Sequence, residues 1–153
     1  MKKIIFVRGI QGSGKTTWAK AWALEDPENR LRISWDDIRN MLGKYWVPNR
    51  EKIVKLTSIR TLEYAMMEGY DVVIDNMNLS ENSIKDFIEA VRHHNGYVED
   101  TPETECSKYS IEYKDFNTPL EVCIERDSKR ENPIGEEIIR NTYNRHIKFY
   151  ERD

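Results

Sequence analysis

Short apolar blocks alternate along the chain with longer segments in which apolar residues recur at helical spacing. Three apolar runs and one weaker alternation of polar and apolar residues predict strands, at Lys3–Val7, Leu31–Ser34, Asp71–Asp75 and Cys106–Phe116. Helices are predicted at 16–24, 36–42, 49–69 and 80–96, from 118 into the charged stretch 125–131, and from 135 toward 150. This order predicts an α/β fold in which helices flank a small central parallel sheet.

Local signals predict where several helices begin and which face they bury. Ser80 has a side chain suited to an N-cap, and Gly96 follows the last apolar residue of that helix. Thr118-Pro119-Leu120-Glu121 has the form of a capping box with proline at the first helical position. In the long helix, the residues expected on one buried face are Ile53, Leu56, Ile59, Leu62 and Met66.

Length and charge narrow the class of protein. The 153 residues are expected to form one domain, 1–153, that buries its own core. Apolar residues make up 39% of the chain and are clustered, which favours a folded domain over disorder. The net charge of −3 predicts no broad basic surface, so a site for a polyanion must be a local basic groove.

The two cysteines, Cys106 and Cys123, have neither CxxC pairing nor the spacing of metal ligands. We find no signal peptide and no apolar run long enough to span a membrane. These features predict free thiols and a reducing, cytoplasmic environment.

The glycine-rich stretch after the first strand predicts a site for a nucleoside triphosphate. Gly9-Ile10-Gln11-Gly12-Ser13-Gly14-Lys15-Thr16 matches GxxxxGK[ST] at every fixed position, between a strand and a helix. Glycines let backbone N–H groups converge on an anion at a helix N-terminus. Lys15 can reach the β- and γ-phosphates, and the Thr16 hydroxyl can ligate Mg²⁺. The nucleotide-binding residues predicted here are Gly9, Gln11, Gly12, Ser13, Gly14, Lys15, Thr16 and Thr17.

Two carboxylates and an arginine follow the second strand, in Ser34-Trp35-Asp36-Asp37-Ile38-Arg39. A kinase that phosphorylates a hydroxyl needs a hydrogen-bond acceptor to orient the attacking oxygen, and an arginine one helical turn away can grip a phosphate. The alternative is a helix N-terminus whose acids suit the dipole, with Arg39 as their solvated partner. Together with the phosphate loop, the pattern favours the functional interpretation.

These motifs together resemble the 5′-kinase domain of bacteriophage-type polynucleotide kinases, a P-loop kinase family. The shared features are the opening MKKII, GSGKTTW in the loop, DDxR after the second strand and SKR in a charged segment, over nearly the whole chain. The resemblance implies a three-layer P-loop kinase fold with a C-terminal lid. The chain departs from the family at Gln11, where proline is common, and at Trp35, where a basic residue occurs.

The resemblance also implies residue roles. Asp36 matches the acid that activates the polynucleotide 5′-OH, and Arg39 matches the arginine that holds an acceptor phosphate. On the donor side, Lys15 and Arg130 match the loop lysine and the lid arginine that contact the phosphates of ATP. The implied catalytic residues are therefore Asp36, Lys15 and Arg130, and Thr16 is the implied metal ligand.

Four further residues are candidates for the site, and three of them have two possible roles. Asp75 ends an apolar strand, the usual position of an acid that holds Mg²⁺ through water. Asp75 and Asn76 compete for the acidic position in a family segment that faces the acceptor, and Asn76 also suits a simple Asx turn. We take Asp75 and Asn78 as substrate-binding. Arg126 either joins Arg130 at the donor phosphates or pairs with Asp127.

Aromatic residues near DDxR also permit two interpretations. Trp35, Tyr45 and Trp46 lie in or beyond the motif, with Lys44 and Arg50 interleaved. Aromatic side chains beside basic ones can stack on the bases of a single strand. Packing is the alternative, and we expect it for at least one of the tryptophans.

The function predicted from these residues is ATP- and Mg²⁺-dependent transfer of the γ-phosphate to a 5′-OH end, in nucleic-acid end repair. The acceptor would be a single strand or nick of DNA or RNA, in the cytoplasm, or in the host cytoplasm if the chain is phage-encoded. One alternative is a kinase of a small-molecule hydroxyl, which the acidic net charge favours. Another is a nucleotide-dependent binding module that transfers no phosphate.

Overall fold

The computed structural model describes residues 1–151, which form four strands and seven α-helices. The strands are β1 Lys2–Arg8, β2 Arg30–Ile33, β3 Asp71–Ile74 and β4 Tyr109–Asp115. The helices are α1 Lys15–Glu25, α2 Trp35–Met41, α3 Glu51–Met67, α4 Glu81–Asp100, α5 Leu120–Ser128, α6 Glu136–Arg145 and α7 Ile147–Glu151. A short 3-10 turn, Pro48–Arg50, leads into α3.

The four strands form one parallel sheet in the order β2-β3-β1-β4. Side chains of β1 alternate between its two faces, and all four central ones are buried. Ile4 and Phe6 pack into a core with α3 and α4, whereas Ile5 and Val7 pack against α1. The sheet is therefore the middle of three layers, and the predicted three-layer α/β architecture is confirmed.

The strand order places a crevice at the carboxyl ends of β1 and β3. The chain leaves β1 into α1 on one face of the sheet and leaves the neighbouring β3 toward α4 on the other face. In open parallel sheets, ligands bind where the connections of adjacent strands diverge in this way. The phosphate loop follows β1, and the Asp75–Asn78 segment follows β3, so the predicted motifs meet at this crevice.

Two helix ends differ from the sequence prediction. Helix α4 continues through Gly96 to Asp100, because Asn95 exchanges two hydrogen bonds with the backbone of Tyr109 and holds the helix against β4. No capping box forms before α5. The Thr118 hydroxyl donates instead to the Ser13 carbonyl in the phosphate loop at 2.7 Å, and the helix begins without a side-chain cap.

Two other expectations about helices were also wrong. In α3, Ile53 and Leu56 are half exposed, because the buried face of the helix is rotated toward Val54 and Ala65 as well as the predicted Leu62 and Met66. The last predicted helix is two helices, α6 and α7, which are interrupted at His146.

Both cysteines are free thiols, as expected, with Cys123 buried and Cys106 partly exposed. Within residues 1–151, no helix combines the length and the apolar character needed to cross a bilayer.

Asn78 ties the ends of β1 and β3 together. It is 3% exposed and adopts a left-handed backbone, with φ of +54°. Its side-chain amide donates to the carbonyl of Val7 at 2.7 Å and to that of Ile74 at 3.0 Å. Asparagine tolerates this backbone region better than most residues, so one side chain supplies both the turn and the tie.

We expect Asn78→Ala to lower the free energy of unfolding by about 2–4 kcal/mol, because two buried carbonyls lose their donor and alanine disfavours a positive φ. Chemical denaturation measures the change. Asn82→Ala, at an exposed position in the first turn of α4, is the control and should change stability by less than about 0.5 kcal/mol. Equal stability of the two variants would contradict the role given to Asn78.

Candidate active site

The phosphate loop, residues 9–16, has glycines where the backbone adopts conformations that other residues avoid. The φ angle is +79° at Gly12 and +101° at Gly14, and Gly14 is also the N-cap of α1. A Cβ added at Gly12 would lie 2.6 Å from the carbonyl oxygen of Cys123 in α5. The loop therefore curls closely around the N-terminus of α1, where backbone N–H groups and the helix dipole favour an anion.

Side chains from distant parts of the chain hold this loop in place. Besides the bond from Thr118 to Ser13, the backbone N–H of Ile10 donates to the Tyr150 hydroxyl in α7 at 2.7 Å. These contacts fix both the first and the second half of the loop.

The loop also presents polar side chains. The Gln11 amide nitrogen lies 3.5 Å from the Thr142 hydroxyl in α6, and the Gln11 amide oxygen and Ser13 hydroxyl are buried without a hydrogen-bond partner in the described part of the chain. Thr17 lines the crevice at the carboxyl ends of β1 and β3. Buried polar atoms left in this way at an anion site suit a polar ligand.

Lys15 is a desolvated cation beneath the loop. Its side chain donates to the carbonyl of Ile10 at 2.9 Å, and Lys15 is only 8% exposed. Burial lowers the pKa of the Lys15 ammonium to about 8, although the nearby charge of Asp75 opposes that shift. A desolvated ammonium of this kind interacts strongly with any phosphate placed beside it.

A chain of hydrogen-bonded polar and charged side chains connects the ends of β2 and β3 to α1. Thr16 donates to one oxygen of the Asp75 carboxylate at 3.3 Å, and Arg32 donates to the other at 2.7 Å. Arg32 also bonds Asp37 in α2. Burial disfavours the charge on Arg32, but its hydrogen bonds to Asp37 and Asp75 outweigh that effect and raise its pKa.

The donor set at Thr16 and Asp75 fits Mg²⁺. A hydroxyl and a carboxylate are hard oxygen ligands, and Mg²⁺ in nucleotide sites uses one or two of these together with water and phosphate oxygens. Across residues 1–151, no group of three or more His, Cys, Asp or Glu side chains is arranged to hold a metal ion.

Asp36 stands in the first turn of α2, which Ser34 caps through its side chain. The Asp36 carboxylate is 67% exposed and accepts hydrogen bonds from the Tyr45 hydroxyl at 2.6 Å and from Arg39 at 2.9 Å, both at the same oxygen, Oδ1. Burial and the bond to Asp36 raise the pKa of Tyr45, so its hydroxyl keeps its proton. Two donors therefore orient an exposed carboxylate.

One cleft of about 670 Å³ brings most of the predicted residues together. Its lining includes Gln11, Gly12, Ser13, Gly14, Lys15, Thr16, Thr17, Asp36, Asp75, Arg126 and Arg130. The predicted residues that do not line it are Gly9, Arg39 and Asn78.

Those three residues act behind the cleft in this structure. A Cβ at Gly9 would lie 2.6 Å from the Ser13 hydroxyl oxygen, so Gly9 allows the loop to close on itself. Asn78 points into the backbone of β1 and β3, a placement that does not support its predicted contact with a substrate. The neighbouring Asn76 lines the cleft instead, and its side-chain oxygen accepts from the backbone N–H of Trp35.

Arg39 is held by a residue that the sequence did not single out. Its guanidinium donates to both carboxylate oxygens of Glu51, at 2.7 and 3.0 Å, and its side chain is 15% exposed. These hydrogen bonds raise the pKa of Arg39 and lower that of Glu51. Glu51 is in the first turn of α3, so the pair also fixes the angle between α2 and α3.

The two arginines of the predicted lid both reach the cleft. Arg126 donates to the carbonyl of Gly12 at 3.3 Å and does not pair with Asp127, which rules out one of its two predicted roles in this structure. Asp127 is buried and accepts from the backbone N–H groups of Ile134 and Gly135. It thereby anchors the segment 129–135 that carries Arg130 over the loop.

Sequence reasoning missed Arg32, Glu51 and the role of Tyr45. All three act through charged groups elsewhere in the sequence, and no local motif marks them. The only signal was an arginine in the short second strand, where an apolar residue would be expected.

Comparison with known proteins supports the same fold. A chain in a structure of the Pnkp1/Rnl/Hen1 RNA repair complex matches with a TM-score of 0.73 and 22% identity, over 98% of this chain and 45% of that one. A second structure of the Pnkp1/Rnl/Hen1 complex matches with a TM-score of 0.65 and 23% identity, over 82% of this chain and 38% of that one. The chain therefore spans less than half the length of these neighbours.

A putative kinase from Chloroflexus aurantiacus has a TM-score of 0.64 at 14% identity, with 90% of this chain and 74% of that one covered. No curated protein matches the chain in sequence. The structural neighbours confirm the P-loop kinase fold that the motifs predicted. A family profile described as an AAA domain matches residues 4–152, nearly the whole sequence, and the chain accordingly belongs to this family of P-loop domains.

Proposed function

We propose that the protein is an ATP-dependent polynucleotide 5′-hydroxyl kinase. The observation that carries the proposal is that the Asp36 carboxylate lines the same cleft as Lys15 and the phosphate loop, while Arg39 of the same motif directly supports it. A nucleotide switch that transfers no phosphate has no need of such a carboxylate, whereas a kinase needs an acceptor of this kind to orient the attacking hydroxyl. The RNA repair complexes that share this fold support a role in nucleic-acid end repair.

On the donor side, the loop N–H groups, Lys15, Arg126 and Arg130 would bind the triphosphate. Thr16 and Asp75 would hold Mg²⁺, which supplies charge neutralisation at the β- and γ-phosphates when bound. Arg130 is 47% exposed at its side chain, so it can move onto the transferring group as negative charge redistributes there.

On the acceptor side, Asp36 would accept the proton of the 5′-hydroxyl as its oxygen attacks the γ-phosphorus. The new O–P bond forms as the bond to the bridging oxygen of ADP breaks. Phosphoryl transfer depends mainly on positioning and charge neutralisation, and the hydrogen bonds from Tyr45 and Arg39 fix the carboxylate for that purpose.

Arg39 would bind the acceptor phosphate only by exchanging ligands. Its fork is occupied by Glu51, whose two oxygens present the same bidentate geometry as a phosphate. Arg39 would therefore release Glu51 when a polynucleotide binds, or it would act only by positioning Asp36.

A small-molecule hydroxyl is the second candidate acceptor, and the net charge of −3 favours it. The salt dependence of acceptor affinity distinguishes the two candidate acceptors. A single-stranded polynucleotide bound through its phosphates loses affinity steeply as salt rises, whereas a neutral small acceptor does not.

We expect Asp36→Asn to lower kcat for transfer of labelled γ-phosphate to a 5′-OH oligonucleotide by about 10²- to 10⁴-fold. The dissociation constant of ATP should stay close to the wild-type value, because Asp36 does not contact the loop. Asp100→Asn is the control, since it removes the same charge from an exposed carboxylate at the end of α4 that does not line the cleft. Its loss of kcat should be at least about tenfold smaller.

Labelled product from small hydroxyl acceptors but not from DNA or RNA would show that the protein is a small-molecule kinase, the second candidate. ATP binding with no labelled product from any acceptor would indicate a binding module instead.

We expect the protein to take up a proton at Lys15 when it binds nucleotide above pH 8. Burial lowers the pKa of Lys15 to about 8, and bound phosphates favour its charged form and raise that pKa again. Calorimetry of Mg²⁺ and a non-hydrolysable ATP analogue, in two buffers of different ionisation enthalpy, should give about 0.1 protons at pH 7 and ~0.9 at pH 8.8. Affinity should fall as pH rises through this range.

Lys15→Arg is the control, because a guanidinium stays protonated at both values of pH. The variant should show no additional uptake at pH 8.8, whatever its affinity. Equal uptake by the wild type at the two values of pH would contradict the desolvated state of Lys15.

A further inference from the structure

Two exposed aromatic side chains lie beside the cleft, and the proposed chemistry uses only the hydroxyl of one of them, Tyr45, as a donor to Asp36. Tyr45 and Trp46 lie between α2 and α3 and are 47% and 52% exposed. Trp22 is buried, and Trp18 and Trp35 are partly buried against the core. Trp46 is therefore the one tryptophan of the described chain that is mostly accessible to solvent.

Arg39 holds the two rings. Its guanidinium carbon lies 5.7 Å from the centroid of the Tyr45 ring and 5.7 Å from that of the Trp46 ring. The two hydrogen bonds to Glu51 fix that guanidinium in turn. Before an acceptor binds, the rings thus rest on a cation that Glu51 holds in place, while about half of each residue stays accessible.

The rings are also continuous with the cleft. The Tyr45 hydroxyl donates to Asp36 at 2.6 Å, so the tyrosine side chain lies directly beside the carboxylate, and Trp46 is the next residue along the chain. A planar group that is joined through a sugar to the hydroxyl at Asp36 would reach these rings. Lys44 is exposed beside them and supplies positive charge for a backbone phosphate.

We propose that Tyr45 and Trp46 form a stacking platform for the first unpaired nucleobases at the 5′ end of a single-stranded acceptor. This inference rests on the proposed function and names the part of the acceptor that the site recognises. Every base has a π face, so the platform would accept any sequence. Holding the rings in advance reduces the entropy cost of binding.

The alternative interpretation as packing is correct for Trp35. Its indole stacks on Phe87 and donates to the Ser58 hydroxyl, so it is part of the core. Trp46, in contrast, is 52% exposed, and its ring lies 5.7 Å from the guanidinium carbon of Arg39. The two tryptophans that flank the DDxR motif in sequence thus have opposite surroundings.

The test combines two substrates with four proteins. A single-stranded 5′-OH oligonucleotide is compared with one that lacks the first two bases, using wild type, Trp46→Ala, Trp46→Phe and Tyr64→Ala. Tyr64 is 66% exposed on α3 and lines none of the cleft, so Tyr64→Ala is the matched control. Trp46→Phe keeps an aromatic face.

We expect Trp46→Ala to raise KM for the intact oligonucleotide about tenfold with kcat nearly unchanged, because one stacked base is lost. Trp46→Phe should recover most of that loss, and Tyr64→Ala should match the wild type. Removing the two bases should raise KM for the wild type but not for Trp46→Ala. A wild-type KM in Trp46→Ala, or equal penalties for base removal in both proteins, would overturn the platform and leave the kinase proposal standing.

A binding measurement separates the two proposals if no oligonucleotide is phosphorylated. An oligonucleotide with 2-aminopurine at its first position is titrated into each protein with Mg²⁺ and a non-hydrolysable ATP analogue. Quenching that is present in wild type and Trp46→Phe but absent in Trp46→Ala supports the platform without any turnover. No quenching in the wild type, or a loss of self-association in Trp46→Ala by light scattering, would assign the rings to another role.

Discussion

The buried carboxylate of Asp75 is the constraint on which the organisation of this site depends. Its side chain is 1% exposed, and a charge at such depth destabilises the fold unless another charge compensates it. Arg32 supplies that compensation from β2, and Arg32 in turn engages Asp37 in α2. The ends of two strands and the start of a helix are thereby held in one arrangement. Both the phosphate loop and the acidic motif take their positions from it.

The same principle explains why the donor and acceptor sides differ in rigidity. Lys15 and Asp75 are buried, and Thr16, although exposed, is bonded to Asp75, as suits groups that meet the same triphosphate in every cycle. Asp36 and Arg130 are exposed at the rim and supported from one side only. Arg39 lies between these cases, since its guanidinium is satisfied by Glu51 but is close enough to the rim to serve a second anion.

The sequence predicted the fold and the phosphate loop well because both depend on local rules. Apolar runs and helical spacing located every strand and most helix bounds. The glycines of GxxxxGK[ST] indicate a particular backbone conformation between a strand and a helix, which the structure has. The orientation of Asn78 could not be predicted from the sequence, because an asparagine after a strand can point toward solvent or into the backbone, and only the packing of β1 against β3 decides. The capping box at Thr118 failed for a similar reason, since a distant carbonyl of the loop competed successfully for its hydroxyl.

The bond between Ile10 and Tyr150 joins positions 140 residues apart, and β1 pairs along its whole length with the last strand, β4. A ribosome therefore releases the phosphate loop long before it makes the residues that complete it. During most of synthesis, one edge of the central strand has no partner from its own chain, and exposed edges of this kind invite wrong pairings. The phosphate loop is thus among the first parts of the chain to be synthesised, but the nucleotide site is complete only after β4 and α7 have been made.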